Sequence, residues 1–238
     1  MYKGRKISVV VPCYNEEAGV PRVMQDMPEI VDEVIIVDNN SRDRTAEVAR
    51  SLGAVVVHEA KQGYGAAHKA GFRRATGDYI VPVILDVMFE EDIDFVTCDR
   101  TGHKTNGAGT RTRVFGNWVL GVVQTLLFFF QVHDSQSGMW VFRRSILPLL
   151  RLTSDGMAFS EEIKIEAFTH PDLTCRELPI YYRPRLGESK LNVWKDGLRN
   201  LLFLFHKRLE LWRTPRPRLA RRPAGPLSRP AQEHPKEE

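Results

Sequence analysis

Short apolar runs alternate with polar, periodic stretches along the first third of the chain. Residues 7–12 (ISVVVP) form a β-branched run that predicts a buried strand. Helical spacing follows over 16–27, and Pro28 ends it. Residues 33–38 (EVIIVD) predict a second buried strand, and the polar turn 39–44 opens a helix over 45–52 that Gly53 closes. A third strand is expected at 54–57, a glycine-bearing loop at 61–65, a helix over 66–75 and a fourth strand at 77–81. Strands and helices in this alternation predict an α/β fold with a mostly parallel, doubly wound sheet flanked by helices.

The later pattern is less regular. Strands are expected at 93–98, 139–142 and 173–182, with a Gly-, Thr- and Arg-bearing loop at 101–113. Residues 115–132 read as a very apolar helix. Its apolar stretch from Trp118 to Val132 is shorter than the ~18–20 residues that span a bilayer. A helix at 161–168 opens on acidic residues, as the helix dipole favours. Over 190–212, apolar residues at 191, 194, 198, 201, 202, 205, 209 and 212 make one stripe of an amphipathic helix. The Pro- and Arg-rich composition of 213–238 predicts no fixed structure. The organisation expected is one domain over 1–212, ending in that helix, followed by a tail.

Composition narrows the classes. With 238 residues, 42% hydrophobic and 27% charged, the chain can bury one core and is not wholly disordered. A net charge of +4 suggests an anionic partner. The excess sits entirely in 213–238, which holds seven Lys/Arg and three Asp/Glu, so residues 1–212 are neutral. A nucleic-acid partner is therefore not expected. Cys13, Cys98 and Cys175 are too few and too scattered for a disulfide framework or a metal site, and they fit a reducing compartment. The apolar run at 7–13 ends in Asn-Glu-Glu and reads as a strand, not a signal peptide. His58, His68, His133 and His170 lack metal-ligand spacing and read as structural or exposed.

Ligands of open parallel sheets sit at strand carboxyl ends. Two such ends here carry polar clusters, Pro12-Cys13-Tyr14-Asn15-Glu16-Glu17 and Asp38-Asn39-Asn40-Ser41-Arg42-Asp43-Arg44-Thr45. Asn15, Ser41 and Asp43 are good helix N-caps, and capping is one explanation. A binding site is the other: Asp38 can accept from a base N–H and Tyr14 offers a ring for stacking. Gly63 and Gly65 fit a phosphate-side loop or merely a turn.

VVVPCYNEE, VIIVDNNSRDRT and KQGYGAAHKAGFRRATGDYI together resemble the family 2 glycosyltransferases of the GT-A fold, and in particular the polyprenyl- and dolichol-phosphate sugar synthases. DSQSGMWVFRRSIL, FSEEIKIEA and YYRPRLGESKL extend the likeness, which covers about residues 6–205. The resemblance implies inverting transfer from a nucleotide sugar, of GDP-mannose or UDP-glucose type, to a polyprenyl or dolichyl monophosphate. It places Pro12, Tyr14 and Glu16 in the first nucleotide-contacting block, Ile36 and Asp38 in the second, and Lys61, Gly63 and Gly65 in the loop near the donor. Arg100 matches an arginine near the phosphates. Arg183 (or Arg185) and Lys190 match the block that closes over donor and lipid phosphate. A peripheral protein on the cytoplasmic face of a membrane is implied as well.

One departure stands out. The family carries an Asp-x-Asp motif for Mg²⁺ or Mn²⁺ after the strand that GDYIV represents, because a divalent cation neutralises the leaving diphosphate. No such motif follows Val81, and only eleven residues, 82–92, separate the two strands. A helix with its two loops would need roughly 15–24. By comparison with the family, about a dozen residues are missing between Val81 and Val83. Asp92-Ile93-Asp94 precedes a strand and lies at the wrong end of the sheet to replace the motif. Asp86 and Asp134 do not make a metal site alone. A degenerate relative, a deletion product and a metal-independent enzyme using Arg100, Arg111, Arg113, Arg183 and Lys190 all remain open. The alternative to an enzyme is an impaired or inactive member that binds nucleotide or membrane.

Overall fold

Strand β1 (Ile7–Cys13) runs through the middle of a seven-stranded sheet. With β2 (Glu33–Asp38), β3 (Val55–His58), β4 (Tyr79–Val81), β5 (Phe95–Asp99), β6 (Trp140–Arg143) and β7 (Cys175–Pro179), the order is β3-β2-β1-β4-β6-β5-β7. Strand β6 lies antiparallel to β4 and β5, and the other recorded pairings are parallel. This computed structural model describes residues 1–81, 92–100, 111–180, 193–214 and 216.

Helices cover both faces, and the two-residue period of the strands decides which side chains meet them. On one face Val10, Ile35, Val37, Phe95 and Phe142 pack under α3 (Tyr64–Arg74) and α5 (Phe159–Phe168). On the other, Cys13 and Ile36 pack with Val20 of α1 (Val20–Gln25) and Ala49 of α2 (Thr45–Ser51). Gly71 lets α3 lie directly on β1, since a Cβ there would sit 2.2 Å from Val10 Cγ1.

Two long helices, α4 (Arg111–Phe128) and α6 (Val193–Arg213), pack on each other and on α5 through Leu120, Phe128, Ile165 and Leu204. Lys207 roots α6. Its ammonium is fully buried among Glu162 (3.1 Å), Glu166 (2.8 Å) and Glu210 (3.3 Å). Such a cation is tolerable only because carboxylates surround it.

Several expectations need correction. The helix expected over 16–27 is limited to Val20–Gln25, with 16–19 forming a turn. Arg111 and Arg113 belong to the first turn of α4, not to a loop, while 101–110 lie outside the described residues. A 3-10 helix at Arg144–Leu149 was not foreseen, because Pro148 inside it obscures any helical period. Of the strand expected at 173–182, Cys175–Pro179 forms β7, and 181–182 lie outside the described residues. Arg216, placed in the tail by composition, hydrogen-bonds Thr169 Oγ1 at 2.6 Å. The spacing argument at Val81–Val83, Asp86, Arg183, Arg185 and Lys190 all concern positions beyond Val81 or in 181–192 that lie outside the described residues.

Candidate active site

Cys13 and Asp38 stand side by side where β1 and β2 end, so the polar clusters that follow them face each other. Backbone N–H groups of one loop donate to side chains of the other. Asn15 donates to Ser41 Oγ (3.0 Å), Glu16 to Thr45 Oγ1 (2.9 Å), Glu17 to Asp43 Oδ2 (3.2 Å), and Arg42 to Asn15 Oδ1 (2.8 Å). Asn15 and Asn40 take left-handed backbone (φ 53° and 63°), which asparagine tolerates well. Neither Asn15 nor Ser41 caps a helix. The polar residues stitch two loops together and leave Pro12, Tyr14 and Glu16 half-buried at the carboxyl edge of the sheet.

Asp38 is buried, and it accepts from the Ser41 N–H (3.1 Å) and faces His58 Nδ1 (3.1 Å). Burial alone would raise its carboxyl, but these hydrogen bonds outweigh that and hold it below the usual carboxylate range. It is thus an ionised acceptor at neutral pH. Ile36 is not at this edge with it, being fully buried against Cys13 and Ala49. Burial pushes the Cys13 thiol up to about 12, which makes it inert as a nucleophile.

Asn39 was not singled out from sequence, yet it shapes the next loop. Its amide donates to Glu59 O and Lys61 O, and its Oδ1 accepts from Gly63 N at 2.8 Å. Lys61 and Lys69 both pair with Asp155. Gly65 N donates to Asp155 O at 2.9 Å, so the start of α3 is tied to the loop before α5. A Cβ at Gly63 would sit 2.3 Å from Asp155 O, and one at Gly65 2.4 Å from Ser154 O. Close backbone approach, not a left-handed turn, is what both glycines provide.

Across the sheet, β5 ends in Asp99, and Arg100 follows. Its Nε meets Asp134 Oδ2 at 2.6 Å and its Nη2 meets Oδ1 at 2.9 Å, a two-point grip. Burial would raise Asp134, but Arg100 and then Lys164 bring it below the usual range. Lys164 is buried and donates to the carbonyls of Asp134 (3.0 Å) and Ser135 (2.6 Å). Burial lowers it to about 8. Gln136 then joins Glu161 of α5 to Asn200 of α6 (3.1 Å to the latter). Between the two halves lies a cavity of about 250 Å³ lined by Val10, Pro12, Tyr64, His68, Gly138 and Trp140. Among the described residues, His68 Nδ1 and Trp140 Nε1 have no hydrogen-bond partner. Beside it, Tyr79–Val81 of β4 pair with Ile7–Val9 of β1.

Among the described residues no three His, Cys, Asp or Glu converge on a possible metal position. Of the described carboxylates near the carboxyl edge, Asp134 is engaged by Arg100, and Asp38 by Ser41 and His58. These residues do not fit a divalent cation. Asp92 and Asp94 lie at the opposite end of β5, where both pair with Arg143.

The mixed seven-stranded sheet with helices on both faces is that of the GT-A fold. Residues 8–150 match Glycosyl transferase family 2, and the chain belongs to that family. It is 34% identical over 220 positions to the low-salt glycan biosynthesis hexosyltransferase of Haloferax volcanii, covering 83% of this chain and 52% of that protein. It is 33% identical to the dolichyl-phosphate hexose transferase of the same organism, covering 80% of this chain and 89% of that protein. The chain thus spans about half the length of the first relative and most of the second. Glucosyl-3-phosphoglycerate synthase of Mycobacterium tuberculosis in complex with UDP shares the fold, with a TM-score of 0.69 over 86% of this chain and 80% of that chain at 21% identity. The same enzyme has also been solved with Mn²⁺ and UDP-glucose.

Proposed function

We propose that this chain transfers a hexose from a nucleoside-diphosphate sugar, of GDP-mannose or UDP-glucose type, to a polyprenyl or dolichyl monophosphate with inversion. The carrying observation is the carboxyl edge itself: an ionised, buried Asp38 beside the half-buried Tyr14, with Arg100 held at the far end. In this reading Asp38 accepts from the base N–H groups, and Pro12, Tyr14 and Glu16 border the nucleoside. The loop of Lys61, Gly63 and Gly65 fixes the donor side. Arg100, with Arg183 and Lys190, supplies cations toward the phosphates. A lipid phosphate is already ionised near neutral pH, so positioning and charge stabilisation can carry the step without a strong base. The name of the dolichyl-phosphate relative supports the acceptor class, and a lipid acceptor implies peripheral attachment at the cytoplasmic face of a membrane.

A divalent metal would supply charge neutralisation at the leaving diphosphate, and among the described residues no group of carboxylates is placed to hold it. That mismatch favours a second reading, a member that binds nucleotide and turns over slowly. Lipid-phosphate sugars formed from a panel of UDP- and GDP-sugars, identified by mass spectrometry with and without Mn²⁺, test the transfer reading. Product at the rate of a full-length relative supports it. Nucleotide binding in a parallel titration with no product supports the second reading instead.

A further inference from the structure

Lys207 of α6 is distant in sequence from the loop of Lys61, Gly63 and Gly65, yet a continuous set of hydrogen bonds joins them. Its ammonium donates to the Arg151 carbonyl at 3.0 Å and to Glu162 Oε1 at 3.1 Å. Glu162 is fully buried and turns its other acceptor positions to the segment after Arg151. Its Oε1 accepts from the Thr153 N–H (3.0 Å) and hydroxyl (2.7 Å), and its Oε2 accepts from the Ser154 N–H (2.8 Å). The next residue, Asp155, offers its carbonyl to the N–H groups of Gly65 (2.9 Å) and Ala66 (3.2 Å), and its carboxylate to Lys61 and Lys69. Gly63 and Gly65 approach Asp155 and Ser154 too closely for any side chain, so a shift of that segment moves both glycines.

The ammonium is what lets Glu162 face this segment as an anion. Glu162 and Glu166 lie one turn apart on α5, both fully buried, and Lys207 stands 3.1 and 2.8 Å from them. Burial would lower the Lys207 ammonium, but the hydrogen bond to Glu166 and the charges of Glu162 and Glu166 outweigh that and hold it above the ordinary lysine value. Arg216 lies 3.9 Å from Glu166 on the other side. Without the ammonium, Glu162 would be left a buried carboxylate short of its cation. It would turn toward water or take up a proton, and either change weakens its hold on Thr153 and Ser154. Stability alone would need only a pair between α5 and α6, whereas three of the bonds to Glu162 come from the segment that carries the loop. We infer that Lys207 is a positioning residue for the donor loop, acting through Glu162 and residues 153–155 on Gly63 and Gly65. The effect on donor binding rests on the donor role proposed above for that loop; the coupling rests on the hydrogen bonds alone.

The test uses the full chain. Hydrogen–deuterium exchange without nucleotide is compared in wild type, Lys207→Met and Leu204→Ala, the last removing a buried side chain from the same helix without touching the network. Lys207→Met should speed exchange over 63–67 and 153–155 about tenfold more than over β1. Leu204→Ala should show no such local excess. Thr153→Val, at an exposed position, removes one bond to Glu162 and should raise the same local exchange about threefold, even if Lys207→Met fails to fold. Titration with UDP should then show about fivefold weaker binding in Lys207→Met and unchanged binding in Leu204→Ala. Lys207→Met combined with Glu162→Gln should bind no more weakly than the weaker single variant, because the two act in series. Local exchange unaltered in Lys207→Met, or in Thr153→Val where the former does not fold, overturns the inference. Losses in UDP affinity that multiply in the double variant overturn it as well. Faster local exchange with UDP affinity unchanged supports the coupling and counts instead against the donor role of the loop.

Discussion

Arg100 and Asp134 meet through two parallel hydrogen bonds, 2.6 and 2.9 Å long, and thereby join the end of β5 to the loop before β6. The carboxylate has only 1% of its side chain exposed, so its charge is sustained by that guanidinium and by Lys164. The arginine is 30% exposed and presents the cation of the pair toward solvent.

This pair gives opposite outcomes for its two halves. Asp134→Ala should leave Arg100 and Lys164 without their shared anion and cost about 3 kcal/mol, read as a lower urea midpoint. Arg100→Lys keeps a charge but loses the fork. It should weaken nucleoside-diphosphate binding about tenfold in a fluorescence titration, one charged hydrogen bond, with a smaller stability loss. Equal nucleotide affinity in wild type and Arg100→Lys would remove Arg100 from the site.

Asp38→Asn keeps an oxygen for the Ser41 N–H but lacks the charge. Nucleoside binding should fall about tenfold, consistent with loss of one charge-assisted hydrogen bond, while the melting temperature changes little. Calorimetric titration with UDP and GDP measures it and reports which base is preferred. An unchanged affinity for both would place the base elsewhere.

Two glycines separate packing from flexibility. Gly65→Ala puts a Cβ 2.8 Å from Phe159 Cβ as well as against Ser154 O, and should destabilise by about 1–3 kcal/mol. Gly121 lies within α4 with none of the described residues within 4 Å of its missing Cβ, so Gly121→Ala should stabilise by about 0.5–1 kcal/mol. Thermal unfolding of the two variants side by side tests the contrast.

Glu161 has a pH signature of its own. Burial raises its carboxyl to about 7, against a partly compensating hydrogen bond from Gln136. Between the ordinary glutamate value near 4.3 and about 7, the folded state holds a proton that the unfolded state has released. Its contribution to stability is present at the acid end of that window and falls as pH rises through it. Glu161→Gln should therefore be flatter than wild type between pH 5 and 8 and the more stable of the two at pH 8. Parallel urea curves at both pH values in the two proteins would contradict this.

Much of this protein was determined by sequence alone. Strand β2 has the boundaries its EVIIVD pattern implies, because a strand buried on both faces must be apolar throughout. The alternation of strands and helices dictated the mostly parallel sheet. Tertiary structure alone decided the rest, because it depends on residues far apart in the chain meeting. Nothing in Asn39 announces that it holds Gly63. Nothing in Asp155 announces that it gathers Lys61 and Lys69 from about ninety residues away. The stripe on α6 was legible from its period, but the exposure of Leu198, Leu202 and Trp212 was not. Periodicity shows that a helix has an apolar face, whereas only packing shows whether that face is covered.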